Sequence, residues 1–236
     1  MAKQVTKYES DGVTEAQSSY DEGTVNDGAT TTARRAWWKN TSTNSETLED
    51  CRFLRAQVGA NDGYTMLQIA EDSPVSAPGA PSLALQAGSE LEVGDYDYRV
   101  TFVTANGETT GGTLAEITTT GGNERVNLTS IPTGPTGVTK RRIYRTTVGG
   151  SQLKLVAEIA DNVTTTYLDQ VADGSLGANI PTLNTSGSAD TWGAGPIEIG
   201  DITVGDYAAC WMRYSVPSDT SQVGNPRRAY VQFEET

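Results

Sequence analysis

The chain has 236 residues, with 30 Asp and Glu against 17 Lys and Arg and a formal charge of −13, a balance that disfavours nucleic acid and anionic membrane because phosphates call for clustered positive charge. Histidine is absent, which removes Ser-His-Asp and Cys-His nucleophiles, histidine general bases and most catalytic zinc sites. Hydrophobic residues make up 36% and charged residues 20%, below the usual roughly 45–50% and 25%, and the abundance of Gly, Thr and Ser favours turn-rich β structure.

From the start of the chain, Met1-Ala-Lys-Gln-Val-Thr-Lys7 has no apolar run behind its lysines and does not read as a signal peptide, so the product is expected in a cytoplasm. The segment Lys3–Ala29 is rich in Gly, Asp and Ser, has little core of its own, and is expected to order against a partner. Thr31–Asn40 and Leu48–Ala56 flank a polar turn and predict a hairpin. Within the first of them Trp37 and Trp38 must face opposite ways, which predicts one indole in the core and the other half-exposed.

Ser73–Ser82 contains three prolines among small residues and predicts a stiff connector. Beyond it Gly94–Thr104 alternates Tyr96, Tyr98, Val100 and Phe102 with Asp, Arg and Thr, the signature of a half-buried strand. Asn106-Gly107 follows as a turn, and the glycines at 94, 111–112 and 149–150 also read as hairpin turns. Further short strands are predicted at Leu114–Thr119, Arg125–Leu128, Lys140–Thr146, Leu153–Ile159 and Thr164–Leu168, a spacing that suggests a sandwich. A second break, Asn184–Ala189, precedes strands near Ile197–Ile202, Asp206–Val216 and Ala229–Phe233.

Three C-terminal strands cannot bury an apolar face alone, so they are expected to share a core with the N-terminal segment. The expected organisation is all-β, with two β-sandwich domains. Residues 1–80 and 187–236 form a discontinuous host sandwich, and residues 81–186 form an inserted Ig- or fibronectin-III-like sandwich. Cys51 and Cys210 then fall in one domain and are expected to be buried thiols.

The pattern G-x-Y-x-Y-x-V, N-G-E-T, R-I-Y-R-T and D-N-x-T-T-x-Y-x-D over residues 90–178 resembles the Ig- or fibronectin-III-like modules of tailed-bacteriophage virion proteins. More loosely, the pairing of W-x-x-N-x-S/T with a late G-D-I-x-x-G-D-Y…W-x-R is similar to phage structural proteins. The resemblance implies a virion component, made in the host cytoplasm and present in many copies. Its expected partners are other virion structural proteins and further copies of itself.

Against that background each chemical candidate has a plain alternative. The Trp37-Trp38 pair could stack on a cell-surface glycan, and Arg34, Arg35, Arg227 and Arg228 could pair with acidic partner subunits. Lys140-Arg-Arg142 with Arg145 reads as a solvated or cross-strand-paired face. Asp95/Asp97, Glu49/Asp50 and Asp161/Asp169/Asp173 lack a calcium-loop pattern, and no glycine run is followed by a phosphate-binding helix. No catalytic residue, metal or cofactor is expected. The functional expectation is a non-enzymatic tail, neck or baseplate adaptor, with capsid decoration and carbohydrate-binding host attachment as the rivals.

Overall fold

The computed structural model describes residues 5–8, 30, 33–42, 47–57, 67–190, 192–193, 196–214 and 229–234. The chain divides into two compact units, Met1–Ser73 with Ser188–Thr236, and Pro74–Gly187. The sequence expectation put these boundaries after residues 80 and 186. Both units are all-β, and among the described residues the other regular element is a 3-10 turn at Asp173–Ser175.

In chain order the first unit contributes β1 (Val5–Tyr8), β2 (Arg34–Asn40), β3 (Leu48–Gln57) and β4 (Leu67–Ser73). The second unit then supplies β5 (Ser82–Gln86), β6 (Gly88–Ser89), β7 (Asp95–Thr104) and β8 (Ala115–Thr118), followed by β9 (Asn123–Thr129), β10 (Val138–Arg145), β11 (Lys154–Ile159) and β12 (Tyr167–Asp169). The chain returns to the first unit with β13 (Ser188–Ala189), β14 (Ile197–Ile202), β15 (Tyr207–Tyr214) and β16 (Ala229–Glu234).

The first unit stacks a five-stranded sheet, β1-β2-β15-β4-β13, on a three-stranded sheet, β14-β3-β16. Its core joins Ala36 and Trp38 of β2, Ile69 of β4, and Ala208, Cys210 and Met212 of β15 to Leu48, Cys51 and Phe53 of β3 and Ile202 of β14. The Trp38 and Phe53 rings lie 4.5 Å apart between the sheets. Both thiols are fully buried and form no disulfide, so the first and last thirds of the chain close one core.

The expected β2–β3 hairpin does not form. β2 pairs with β1 and β15, while β3 pairs with β14 and β16. The two strands therefore belong to different sheets. Alternation buries Trp38 and Phe53 equally well either way, and the choice falls to β15 and β14, which arrive from the far end of the chain and occupy the edges a hairpin would use.

The second unit faces β11-β10-β7-β8 against β12-β9-β5, with β6 alongside β9. Tyr96, Tyr98 and Val100 of β7 and Ile143 of β10 meet Val126 and Leu128 of β9. The segments where the chain enters and leaves this unit are stitched together. Val75 N–H donates to Ser186 Oγ at 3.0 Å, and Asn184 Nδ2 donates to the Val75 carbonyl at 2.8 Å. Gly111-Gly112 is not the expected hairpin turn: Gly112 N–H donates to the Val100 carbonyl at 2.8 Å while Thr113 N–H donates to the Pro78 carbonyl at 3.0 Å. A Cβ on Gly112 would come within 2.3 Å of that carbonyl oxygen, so the pair serves close backbone approach.

Candidate functional site

Alternation in β2 puts Ala36, Trp38 and Asn40 toward the core and Arg35, Trp37 and Lys39 on the outer face of the five-stranded sheet. Register carries the pattern across: Trp211 of β15 lies opposite Arg35 on one side and Ala70 of β4 on the other. On this outer face the Arg35 guanidinium sits 4.1 Å over the Trp37 ring and 5.6 Å from the Trp211 ring. Asp72 accepts from Arg35 Nη2 at 2.5 Å through Oδ2 and from Trp211 Nε1 at 2.7 Å through Oδ1. Tyr207 meets Trp37 edge-on at 6.2 Å and carries Lys39 Nζ at 4.9 Å over its ring. Arg213 stacks 4.1 Å over Trp192. Burial pulls the Arg35 pKa down, and the Asp72 charge opposes that pull.

This face gathers two of the expected contact residues, Arg35 and Trp37, and alters their roles. Trp37 is 4% exposed and Trp38 5%, so the expected half-exposed indole is absent and neither ring offers the open face that a pyranose stacks on. Arg35 is buried as well, whereas Arg34 is exposed. Arg227 and Arg228 lie outside the described residues, as does the Lys3–Ala29 segment apart from the backbone of β1. Sequence reasoning missed Asp72, Tyr207 and Trp211 as members of this face. The signal for the last two was the alternation of β15, which sets Tyr207, Trp211 and Arg213 on one side.

The two halves of the looser motif touch. Asn40 Nδ2 donates to the Ile202 carbonyl at 2.9 Å, Asn40 N–H donates to the Asp206 carbonyl at 3.0 Å, and Gly205 N–H donates to the Asn40 carbonyl at 2.9 Å. Ser42 N–H closes the turn onto Asn40 Oδ1 at 3.0 Å. The Trp-x-x-Asn-x-Ser segment is therefore held by the Gly-Asp-Ile-x-x-Gly-Asp-Tyr segment, and Asn40, 1% exposed, has its side-chain donor and acceptor both satisfied.

The second unit spends its charge internally. Arg141 and Arg145 share the core face of β10 with Ile143 and are fully buried, unlike the solvated or cross-strand face expected for the whole basic cluster. Arg145 approaches Asp169 at 2.9 Å and Asp173 at 2.5 Å and donates to the Val171 carbonyl at 2.5 Å. Tyr98 Oη donates to Asp169 Oδ2 at 2.7 Å. Burial works against the Arg145 cation, yet Asp169 and Asp173 outweigh it and raise its pKa, while burial and then the Asp169 charge push the Tyr98 phenol far up.

Arg141 donates to the carbonyls of Pro132, Asp161 and Thr164 and to Asp161 Oδ1, at 3.2, 3.1, 2.5 and 3.0 Å. Asp161 also accepts from the Thr164 hydroxyl and from the amides of Thr164 and Val163. Those bonds, the hydroxyl foremost, hold its carboxyl well below the usual range. Lys140 and Arg142, on the opposite face, do form cross-strand pairs with Glu158, at 2.6 and 2.9 Å. Arg142 reaches Glu108 at 2.6 Å as well, and Glu108 accepts from Tyr144 and Thr101 at 2.7 and 2.5 Å.

Among the described residues no group of three or more His, Cys, Asp or Glu side chains could hold a metal ion, and no helix is long and apolar enough to cross a membrane. Compared with known proteins, the chain matches no family model, and neither a curated protein nor a solved structure is significantly similar to it.

Proposed function

We propose that this chain is a non-enzymatic structural component of a tailed-phage virion, a tail, neck or baseplate adaptor that docks in many copies onto other virion proteins. The observation that carries the reading is how the residues of the virion-module pattern are used. Ile143 and Arg145 from R-I-Y-R-T, and Tyr167 and Asp169 from D-N-x-T-T-x-Y-x-D, meet in a buried combination of ion pairing and apolar packing, while Arg142 and Asp161 of the same patterns pair nearer the surface, with Glu158 and Arg141. A pattern whose charged members are committed to partners within the same unit suits a rigid module rather than a reaction centre.

In this reading residues 74–187 are an Ig-like module inserted into the host sandwich. Capsid decoration draws on the same features. Glycan attachment loses its platform with Trp37 and Trp38 buried. The test is cross-linking mass spectrometry on purified particles, in which the chain is expected at multiple copies with cross-links from its first unit to a second virion protein. Its absence from particles, or hydrolysis of host glycans by the purified protein, defeats the proposal. Replacing residues 74–187 by a short Gly/Ser linker should leave the first unit folded, and aggregation of that variant would refute the insertion.

A further inference from the structure

The strand β5 is hydrogen-bonded on one side only, to β9, in the register Ser82↔Thr129 through Gln86↔Arg125. Among the described residues no backbone group bonds to its other side. The remaining edges of this unit are short or covered. Along β11, Leu155 N–H donates to the Ala178 carbonyl, Gly177 N–H to the Leu155 carbonyl and Ile180 N–H to the Leu153 carbonyl, so residues 177–180 occupy that edge. β12 has three residues, and the four of β8 include Glu116. Edge strands are ordinarily blunted by charge, proline, shortness or cover. β5 carries neither a charge nor a proline of its own: Pro81 precedes it, and residues 79–89 contain no charged side chain in a chain of net charge −13.

We infer that the free edge of β5 is a self-association surface, on which a second copy of this chain lays its own β5 antiparallel to the first. Charge and symmetry both select this occupant. Two chains of charge −13 repel, and an uncharged edge is where their approach costs least. A partner recruited by charge would find nothing to hold there.

The sequence of β5 is also self-complementary. About a twofold axis at Ala84, that residue faces its own twin, Leu83 faces Leu85 of the second copy, and Ser82 faces Gln86. Leu83 and Leu85 pair with the core residues Leu128 and Val126 and so share the inner face. Pairing extends that apolar stripe from one copy into the next and covers Leu85, which is 39% exposed. A five-residue edge buries less than the ~800 Å² per partner of a standard interface, so the free dimer is weak, with Kd on the order of 0.1–1 mM, and gains avidity wherever copies are held side by side.

The experiment is sedimentation of the full chain between about 10 μM and 1 mM, spanning that Kd range, for the wild type, Ala84→Lys, Ala84→Asp and an equimolar mixture of the two. Ala84 is exposed, and thermal unfolding verifies that each variant keeps its fold. The wild type is expected to dimerise with rising concentration. Each variant alone is expected to lose at least tenfold in affinity, because the twofold sets identical charges directly opposite, and the mixture should recover a dimer. A second variant works in the opposite sense: Ser82→Lys with Gln86→Asp in one chain places Lys against Asp across the axis and should tighten the dimer severalfold, with salt dependence. A wild type that stays monomeric throughout, single variants that dimerise like it, a mixture without rescue, or a double variant no tighter than wild type would each overturn the inference. This readout is independent of particle incorporation, so its failure leaves the virion proposal standing, and the reverse also holds.

Discussion

Tyr98 and Asp169, each fully buried, are joined by a 2.7 Å hydrogen bond from the phenol to Oδ2, and the same carboxylate faces Arg145 at 2.9 Å. The bond ties β7 to β12, strands of opposite sheets, so it crosses the sandwich rather than following a ladder.

Removing the phenol with Tyr98→Phe takes away one bond to a charged acceptor and should cost about 1.5–3 kcal/mol. Asp169→Ala is expected to cost more, about 3–5 kcal/mol, because it strips a fully buried guanidinium of a charged partner. Urea denaturation followed by far-UV circular dichroism separates the two, and equal losses would mean that the ion pair contributes no more than the phenol.

Acid should loosen the second unit over a defined range. The Asp161 carboxyl is held below its ordinary value chiefly by the Thr164 hydroxyl, and Glu90, bonded by Arg125 and the Ser89 amide, is lowered from 4.5 to about 2. Both folded values lie below the unfolded ones, so the unfolded chain binds protons first as pH falls. The stability Glu90 contributes is present above about 4.5 and lost toward about 2, and that of Asp161 is lost over a more acidic range. Melting temperatures measured from pH 5 to pH 2 should fall less steeply for Asp161→Asn than for the wild type, and parallel curves would remove Asp161 from this account.

What the sequence disclosed was decided by local period. Tyr96, Tyr98, Val100 and Phe102 alternate with polar residues, and β7 occupies residues 95–104, against an expected 94–104. β4 and β5 went unseen. Leu67–Ser73 ends in Glu-Asp-Ser and looks like a loop, although it lies between β15 and β13. Ser82–Gln86 is short and follows the prolines. Long-range pairing was invisible to period altogether, which is why β2 and β3 were joined as a hairpin. The buried lattice was half-legible: the odd spacing of Arg141, Ile143 and Arg145 placed the arginines beside a core residue, but their partners at 161, 169 and 173 lie on other segments, and composition alone treats arginine as solvated.

Gly112→Ala should destabilise the second unit by about 1–3 kcal/mol, since the added Cβ must displace backbone rather than a side chain that can rotate away. The matched control is Gly121→Ala, where a Cβ would meet nothing within 4 Å, and it should be neutral or slightly stabilising. Thermal melts of the two variants side by side test the assignment, and a silent Gly112→Ala would mean that the approach to Pro78 is looser than described.

On the outer face of the five-stranded sheet, Asp72 takes one bond from Arg35 and one from Trp211. Its side chain is 7% exposed and that of Arg35 3%, so solvent screens the pair little and salt should scarcely weaken it. Asp72→Ala breaks both bonds at once and is expected to cost the first unit about 3–5 kcal/mol. Trp211→Phe keeps a ring beside Arg35 and removes one hydrogen bond, for a loss of about 1.5–3 kcal/mol. Indole fluorescence during urea unfolding reads both, at low salt and at high salt. A loss for Asp72→Ala that shrinks strongly with salt would identify a solvent-screened surface pair, and Arg35 would then be available to an acidic partner, as the sequence suggested, instead of being committed to the fold.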